Sequence, residues 1–302
     1  MSKKVNVTGY WNQFWFSQEK TSTLGVFRIC LGLFLLVEFL VSSPNWLRFY
    51  GPFGLITAKT FTTAPFPYHL SLFGISQTEI FASAILISAI TLSILLVLGF
   101  KTRLATICLF IIYFSLIQRN WIIHSGHDQV ALIFLFLSIF APLGNSYSLD
   151  KFLGTKTVEE KKPRWALRLM QITICLMYFF STIEKLHGSQ EWIGGMALYY
   201  ISFSRFWWRF RDLNIFHNLF FSYFATYFTL ISELSFISLV WLSKTRAIVL
   251  TLIALMHISI IIFMSPGVTF FSLIMLTSLV LFIPNHTIEK TMAFVSSHSR
   301  YG

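Results

Sequence analysis

Long apolar stretches separated by short polar connections dominate the chain. Crossing about 30 Å of hydrocarbon takes roughly 20 helical residues, and windows of that length recur throughout the sequence. The pattern predicts eight membrane spans, near residues 22–43, 79–100, 104–123, 129–147, 166–187, 218–242, 246–264 and 267–284. We therefore expect an all-α fold, a polytopic transmembrane helical bundle of about eight spans.

The composition supports the same class of protein. Hydrophobic residues make up 55% of the 302 residues and charged residues only 12%, with 34 phenylalanines. This is more apolar surface than a soluble core of this size could bury. The one clearly polar linker, residues 146–165, does not divide the chain, so we expect a single domain over residues 1–302.

The distribution of basic residues predicts the orientation, because basic loops stay in the cytoplasm. With the amino terminus inside, 15 of the 23 lysines and arginines fall on its side, seven fall on the other side, and Arg28 lies within the first span. The inner set comprises Lys3, Lys4, Lys20, Lys101, Arg103, Lys151, Lys156, Lys161, Lys162, Arg164, Arg168, Lys244, Arg246, Lys290 and Arg300. We expect a multi-pass protein of the bacterial cytoplasmic membrane with both termini cytoplasmic. The net charge of +11 reflects this topology and attraction to anionic lipid, so we expect no nucleic-acid partner.

Two outer segments combine aromatic residues with glycine, proline or arginine. They cover residues 46–74 and 190–216, and segments of this kind commonly lie in the membrane interface. We expect amphipathic interfacial segments there, and a capping role without chemistry is the simpler alternative. No internal repeat is evident, which counts against an inverted-repeat transporter.

Several ionisable residues fall where hydrocarbon disfavours them. Arg28 and Glu38 lie in the first predicted span, and Glu233 and His257 lie deep in later ones. Each needs a partner from another helix or access to water, and such residues often mark function. A structural hydrogen bond is the alternative for Glu233, and a neutral histidine bonded to a serine or a carbonyl is the alternative for His257.

Lys185 ends a long apolar run in the segment FSTIEKLHGSQEWIGG. A lysine at the edge of the hydrocarbon is costly unless it snorkels, pairs or takes part in chemistry. An anchor that reaches the outer headgroups is the simplest interpretation.

A second polar concentration, RNWIIHSGHDQ, covers the end of the third predicted span and the connection to the fourth. His124 and Asp128 would share a face if the helix continued, but Gly126 suggests that it breaks. The histidines and the carboxylate could also bind a metal. Their spacing is not diagnostic and no fourth ligand is evident, so we expect no metal site.

These segments resemble a known family, the vitamin K-dependent gamma-glutamyl carboxylases. Lys185, Leu186, Trp192 and Gly195 match the active-site segment of that family, in which a lysine precedes leucine and Trp-x-x-Gly follows. Trp121, His124 and Ser125 match its Trp-x-x-His-Ser element, and His257 stands at its intramembrane histidine position. The broader grouping is the HTTM membrane domain, which carboxylases share with many bacterial proteins.

The resemblance implies a catalytic set of Lys185, His124 and His257, with Asp128, Glu233 and Trp192 in support. In the carboxylases the lysine deprotonates vitamin K hydroquinone. Oxygenation then gives a strong alkoxide base that takes a proton from a peptide glutamate, and the carbanion attacks carbon dioxide. The implied cofactor is vitamin K hydroquinone or another quinol. The implied histidine role is to orient the quinone or to stabilise developing charge.

This sequence also departs from the family pattern. Carboxylases carry a large peptide-binding portion after the membrane domain, and no such module is visible here. The interval between Lys185 and Trp192 is longer than usual, and the residue before the lysine, Glu184, is acidic. The partners that we expect are membrane lipid and, if carboxylation is retained, a small peptide or a separate docking protein.

Three functions therefore remain open. The first is a lipid-phase enzyme that uses Lys185 as a base with a quinone-like cofactor on the extracytoplasmic side. The second is a non-enzymatic membrane factor that binds a lipid or a peptide in the maturation or export of a small secreted polypeptide. The third is a proton-coupled transporter with Glu38, Glu233 and His257 as a relay.

Overall fold

The computed structural model describes residues 7–63, 70–154, 161–210 and 215–298. Lys3, Lys4, Lys156 and Arg300 of the inner set, and Arg211 of the seven basic residues on the outer side, lie outside the described residues. So do parts of the polar linker and of the two aromatic outer segments, at residues 155–160, 64–69 and 211–214.

Helices form nearly all of the regular structure in these ranges. The helices are α1 (Val7–Phe16), α2 (Ser22–Ser42), α3 (Trp46–Tyr50), α4 (Ala58–Thr62), α5 (Glu79–Leu98), α6 (Thr102–Arg119), α7 (Gly126–Phe140), α8 (Leu149–Phe152), α9 (Trp165–Gly188), α10 (Gln190–Ile193), α11 (Ala197–Phe203), α12 (Leu219–Leu239), α13 (Arg246–Phe263), α14 (Thr269–Leu279) and α15 (Asn285–His298). Two short strands, β1 (Gln18–Lys20) and β2 (Lys161–Pro163), pair antiparallel. The predicted all-α polytopic bundle is confirmed.

Six helical segments of the described chain are long and apolar enough to cross a membrane. They are Ser22–Tyr50, Glu79–Leu98, Thr102–Arg119, Trp165–Gly188, Leu219–Leu239 and Arg246–Phe263. A seventh span results if the bent pair Pro266–Phe282 and Asn285–Phe294, which meet at 102°, is counted as one. These segments coincide with six of the eight predicted spans.

The two remaining predicted spans differ from the structure. The fourth, at 129–147, is a helix of only 15 residues, α7, which ends at Phe140. It stops there because Pro142 cannot continue a helix and restricts the residue before it. The eighth, at 267–284, consists of α14 between two 3-10 turns and bends sharply before α15. The apolar runs were read correctly, but two prolines, Pro142 and Pro284, limit the helices within them.

The chain divides into two compact units. The first comprises Met1–Arg168 with Ile283–Gly302, and the second comprises Leu169–Phe282. Helix α9 begins in the first unit and runs through the second. The single-domain expectation stays a prediction.

In the first unit, α2 packs most extensively against α5. The contact surface of α5 includes small buried residues, Ala82, Ala89 and Ser93, which let the helix backbones approach closely. On another face of α2, Phe27 meets Phe134 of α7 edge to face, with ring centroids 5.5 Å apart. Close packing of α2 against α5 and α7 therefore stabilises the first unit.

A buried arginine of α2 joins the end of α5 to the segment before α8 within the first unit. Arg28 is fully buried, and its Nη2 donates to the carbonyl of Tyr147 at 2.5 Å and to that of Val97 at 3.4 Å. Beside it, Asp150 accepts the backbone N–H groups of Lys101 and Thr102 at 2.9 and 3.2 Å and so caps the start of α6. The predicted need of Arg28 for a partner from another segment is thus met by backbone carbonyls.

The second unit is built on α9, α12, α13 and α14. Phe236 of α12 is fully buried between Tyr178 and Phe282, at centroid distances of 4.8 and 5.1 Å. Gln171 donates its side-chain amide to the carbonyl of Leu281 at 2.7 Å, which ties α9 to the turn after α14. This unit carries most of the residues that the sequence marked as functional.

The outer faces of the long helices are apolar. Only 28% of the most apolar window of α5 and 22% of that of α13 is buried within the protein. Large side chains such as Ile80, Phe220 and Ile231 point outward. An exterior of this kind is stable against lipid and not against water, so the protein is an integral, multi-pass membrane protein.

Gly99 offers a test of the Arg28 packing. Its φ is +72°, and a Cβ there would collide with the Arg28 guanidinium and lie 2.6 Å from Cβ of Ser148. Gly154 has a similar φ of +63° but open space around it. We expect Gly154→Ala to cost about 1 kcal/mol of backbone strain, and Gly99→Ala about 2 kcal/mol more from overpacking. Thermal unfolding of the two purified variants in detergent measures the difference, and equal stabilities would contradict it.

Candidate functional site

Four polar residues follow one another along a single face of α9 in the second unit. Ser181 and Thr182 follow Tyr178 by three and four residues and precede Lys185 by four and three, the spacing that places side chains above one another on a helix. The helix reaches Gly188, so Lys185 lies in its last turn. Glu233 faces this stripe from the second half of α12.

Lys185 and Glu233 form an ion pair with both carboxylate oxygens engaged. The lysine Nζ lies 2.5 Å from Oε1 and 2.7 Å from Oε2 of Glu233, and 2.7 Å from Oγ of Ser181. The hydroxyls of Ser181 and Thr182 donate to Oε2 at 3.4 and 3.3 Å. The amine therefore uses its donors on protein oxygens, and the carboxylate is held from two helices.

The pair sits at the boundary between the interior and the outside. The Lys185 side chain retains 20% of its exposure, whereas that of Glu233 retains 6%. The amine also lies 5.3 Å from the centre of the Trp192 ring, a cation–π distance. Next along the chain, the hydroxyl of Ser189 donates to Glu191, which lowers the pKa of that exposed carboxyl. The site thus has a buried acid, a partly accessible amine and an aromatic face.

His257 belongs to the same unit and is almost fully buried on α13. Its Nε2 lies 2.9 Å from the hydroxyl of Tyr178, and its Nδ1 lies 3.3 Å from Oγ of Ser272. Both ring nitrogens are therefore engaged by hydroxyl groups. Tyr178 links the ring to the helix that carries Lys185. The predicted hydrogen bond between His257 and a serine is present, and the role of the histidine stays a prediction.

His124 and Asp128 belong to the first unit. His124 lies in the segment between α6 and α7, and α7 begins at Gly126, so the helix does break as the glycine suggested. The Nε2 of His124 is buried without a hydrogen-bond partner among the described residues. Asp128 contacts Tyr113 and lies beside His127 and Glu38. A site that combines Lys185 with His124 stays a prediction.

The comparisons with known proteins place the sequence in one family. The sequence model of the HTTM domain matches residues 16–286, most of the chain. The chain belongs to the HTTM family. HTTM is the membrane domain of vitamin K-dependent carboxylase-like proteins. The HTTM chain is also similar to the uncharacterized protein YitO of Bacillus subtilis (strain 168), with 24% identity over 190 residues. That match covers 60% of this chain and 58% of YitO, less than two thirds of the relative. No solved structure matches.

Within this HTTM protein, sequence reasoning identified both members of the ion pair but did not join them. They are 48 residues apart, and nothing in their spacing pairs them. Sequence reasoning also missed Tyr178, Ser181 and Thr182. The signal that could have found them is the run of hydroxyl residues at helical spacing before Lys185.

The ion pair predicts strong coupling between its two residues. Lys185→Met or Glu233→Gln alone leaves its partner's hydrogen-bonding groups unsatisfied in an apolar unit, at a cost of about 3 kcal/mol each. We expect the double variant to lose much less than the sum of the two single losses. Thermal unfolding in detergent measures the stability of the wild type, the two single variants and the double variant. Ser181→Ala, which removes a neighbouring hydroxyl, is the control and should lose less stability. Additive losses would contradict the pair.

Proposed function

We propose that this HTTM protein is a membrane-phase acid–base enzyme in which Lys185 and Glu233 move a proton of a quinol-like molecule. The observation that carries the proposal is the Lys185–Glu233 pair, with contacts of 2.5 and 2.7 Å, at the partly open end of α9. Ionisable residues within membrane-spanning helices are costly and tend to serve function. Membership of the HTTM family, together with the resemblance of the segment around Lys185 to the carboxylases, supports this choice of lysine.

The residues around the pair fit a quinol. A quinol supplies an acidic phenolic hydroxyl on an aromatic ring. The face of Trp192, 5.3 Å from the Lys185 amine, offers a stacking surface beside the base. Lys185 and Glu233 would receive the hydroxyl proton, and the outward-pointing apolar side chains of the second unit would hold a lipid tail. Vitamin K hydroquinone or another quinol is the proposed cofactor.

Glu233 gives the lysine a route to act as a base. Lys185 can accept a proton only after its own ammonium has passed one on, and the nearest acceptor is Glu233 at 2.5 Å. Transfer converts the ion pair into a neutral amine and a carboxylic acid. The amine then takes the substrate proton, and Thr182 and Ser181 hold the carboxyl group throughout. No charge has to move through the apolar interior.

The proposed setting is the cytoplasmic membrane of a bacterium, with both termini inside and Lys185 on the extracytoplasmic side. The 15-to-7 distribution of basic residues supports this orientation. Membrane lipid contacts the apolar outer faces. Carboxylation of a small peptide, alone or through a separate docking protein, is the specific reaction that the family resemblance suggests for this site.

A non-enzymatic membrane factor is the second candidate, and the same contacts supply its support. Three acceptor oxygens within 2.7 Å satisfy the lysine amine, as in a structural ion pair. Such a protein would bind a lipid or a peptide in the maturation or export of a secreted polypeptide.

For the third candidate, proton-coupled transport, the relay residues are divided between the units, with Glu38 in the first and Glu233 and His257 in the second.

Conservative replacement of Lys185 distinguishes the enzyme from the second candidate. Lys185→Arg keeps a cation beside Glu233 but cannot donate a proton and then accept one near neutral pH. Dioxygen is supplied as the oxidant, because deprotonation alone does not consume the quinol. We expect quinol consumption by purified protein, followed by chromatography of quinol and products, to fall by about 10²- to 10⁴-fold in Lys185→Arg and Lys185→Met. Lys244→Met removes an exposed lysine of the same unit and serves as the matched control.

Several outcomes would contradict the proposed enzyme. If Lys185→Arg consumes quinol at the wild-type rate while inserted and folded, Lys185 is not the base. If the wild type consumes none and Lys185→Met retains cellular function, the membrane factor is correct. Mass spectrometry of lipids, quinones and peptides that copurify with the wild type identifies the molecule in either case. Proton-coupled flux into proteoliposomes that is abolished by Glu233→Gln would favour transport instead.

A further inference from the structure

A second cluster of ionisable residues lies in the first unit, apart from the residues of the proposed reaction. Glu38 comes from the second half of α2, and His127 and Asp128 come from the first turn of α7. One ligand atom from each, two carboxylate oxygens and an imidazole nitrogen, lie within 4.8 Å of one another. Because the carboxylate of Glu38 is 89 residues away from His127 in the chain, only the fold creates this group.

The separations within the cluster match those of ligands around one ion. The Nε2 of His127 lies 3.2 Å from Oε1 of Glu38 and 3.7 Å from Oδ1 of Asp128. Ligand atoms bonded at about 2.1 Å to a transition-metal ion stand roughly 3 to 3.5 Å apart. A small rotation of the side chains therefore suffices to bring all three atoms onto one centre.

Neighbouring groups orient the three side chains toward that centre. Ser125 Oγ lies 2.5 Å from Nδ1 of His127, which leaves Nε2 facing the carboxylates. The other oxygen of Asp128 accepts the backbone N–H of Ser125 at 2.7 Å. The hydroxyl of Tyr113 donates to Glu38 at 2.7 Å and lies 3.2 Å from Asp128. Contacts of this kind orient the ligands of many metal sites.

A buried acceptor without a hydrogen-bond partner favours cation binding at the cluster. Glu38 retains only 8% of its exposure, and its Oε2 is buried without a hydrogen-bond partner among the described residues. A buried oxygen of this kind is costly, and two carboxylates on one centre repel each other. A divalent ion bound by both oxygens of Glu38 would satisfy Oε2 and offset the repulsion. The side chains of His127 and Asp128 retain 15% and 18% of their exposure, which gives an ion access.

We propose that Glu38, His127 and Asp128 bind a divalent first-row transition-metal ion. The imidazole favours zinc or iron(II) over calcium and magnesium, which prefer oxygen ligands, and Co²⁺ serves as a spectroscopic probe of such a site. Three protein ligands leave coordination positions open, as in metal sites that bind water or a substrate. The proposal does not depend on the chemistry at Lys185.

The test uses full-length protein in detergent, purified without a histidine tag and stripped of metal with a chelator. Titration with Co²⁺ is followed by visible absorption, and Zn²⁺ content after gel filtration is measured by mass spectrometry. We expect about one equivalent of either metal. Glu38→Gln and His127→Gln should each weaken binding by at least about tenfold.

His124→Gln is the matched control, because it removes a histidine three residues away that takes no part in the cluster. It should bind metal as the wild type does. Ser125→Ala keeps all three ligands and should bind about one equivalent with lower affinity. The wild-type titration is decisive even if a ligand variant fails to fold. Less than a tenth of an equivalent, no cobalt absorption band, or equal loss in His124→Gln and His127→Gln would overturn the proposal.

Discussion

Charged side chains inside apolar helices must find their partners within the protein, and this constraint organises both units. Lys185 of α9 is neutralised by Glu233 of α12 at 2.5 Å, so the ion pair sets the register of two helices. In the first unit, Arg28 and Arg119 are fully buried and donate to carbonyls of other segments, those of Tyr147 and Gly51. Because hydrocarbon offers no alternative partner, each contact links segments that are far apart in sequence.

Most of the fold follows from the sequence because length and apolarity directly determine whether a helix can cross a membrane. Six predicted spans coincide with long helices of the structure. The fourth and eighth differ because a hydropathy window averages over residues and does not register a single proline. Pro142 ends the apolar run of α7 early, and the chain turns by 102° around Pro284. Local backbone chemistry therefore decides what the apolar pattern leaves open.

The sequence indicates which residues of the candidate sites are unusual, but not which of them contact one another. Lys185 and Trp192 stand seven residues apart in one segment, and their proximity in the structure follows from that short distance. Glu38 and His127 meet across 89 residues, which neither spacing nor helical periodicity could reveal. His257 illustrates the intermediate case. Its depth in the span indicated a hydrogen-bonded ring, but the identity of its partner, Tyr178, required the packing of α9 against α13.

The shortness of α7 has a consequence for the surrounding bilayer. Its 15 residues rise about 22 Å, roughly 8 Å less than the hydrocarbon thickness. Lipid that borders a deficit of this size thins locally, and headgroups and water are drawn down toward the helix end. Hydrated ions would then reach His127 and Asp128 in the first turn of α7, although both residues lie within the protein. Membrane thickness, and hence lipid composition, would control the access of solutes to that end of the helix.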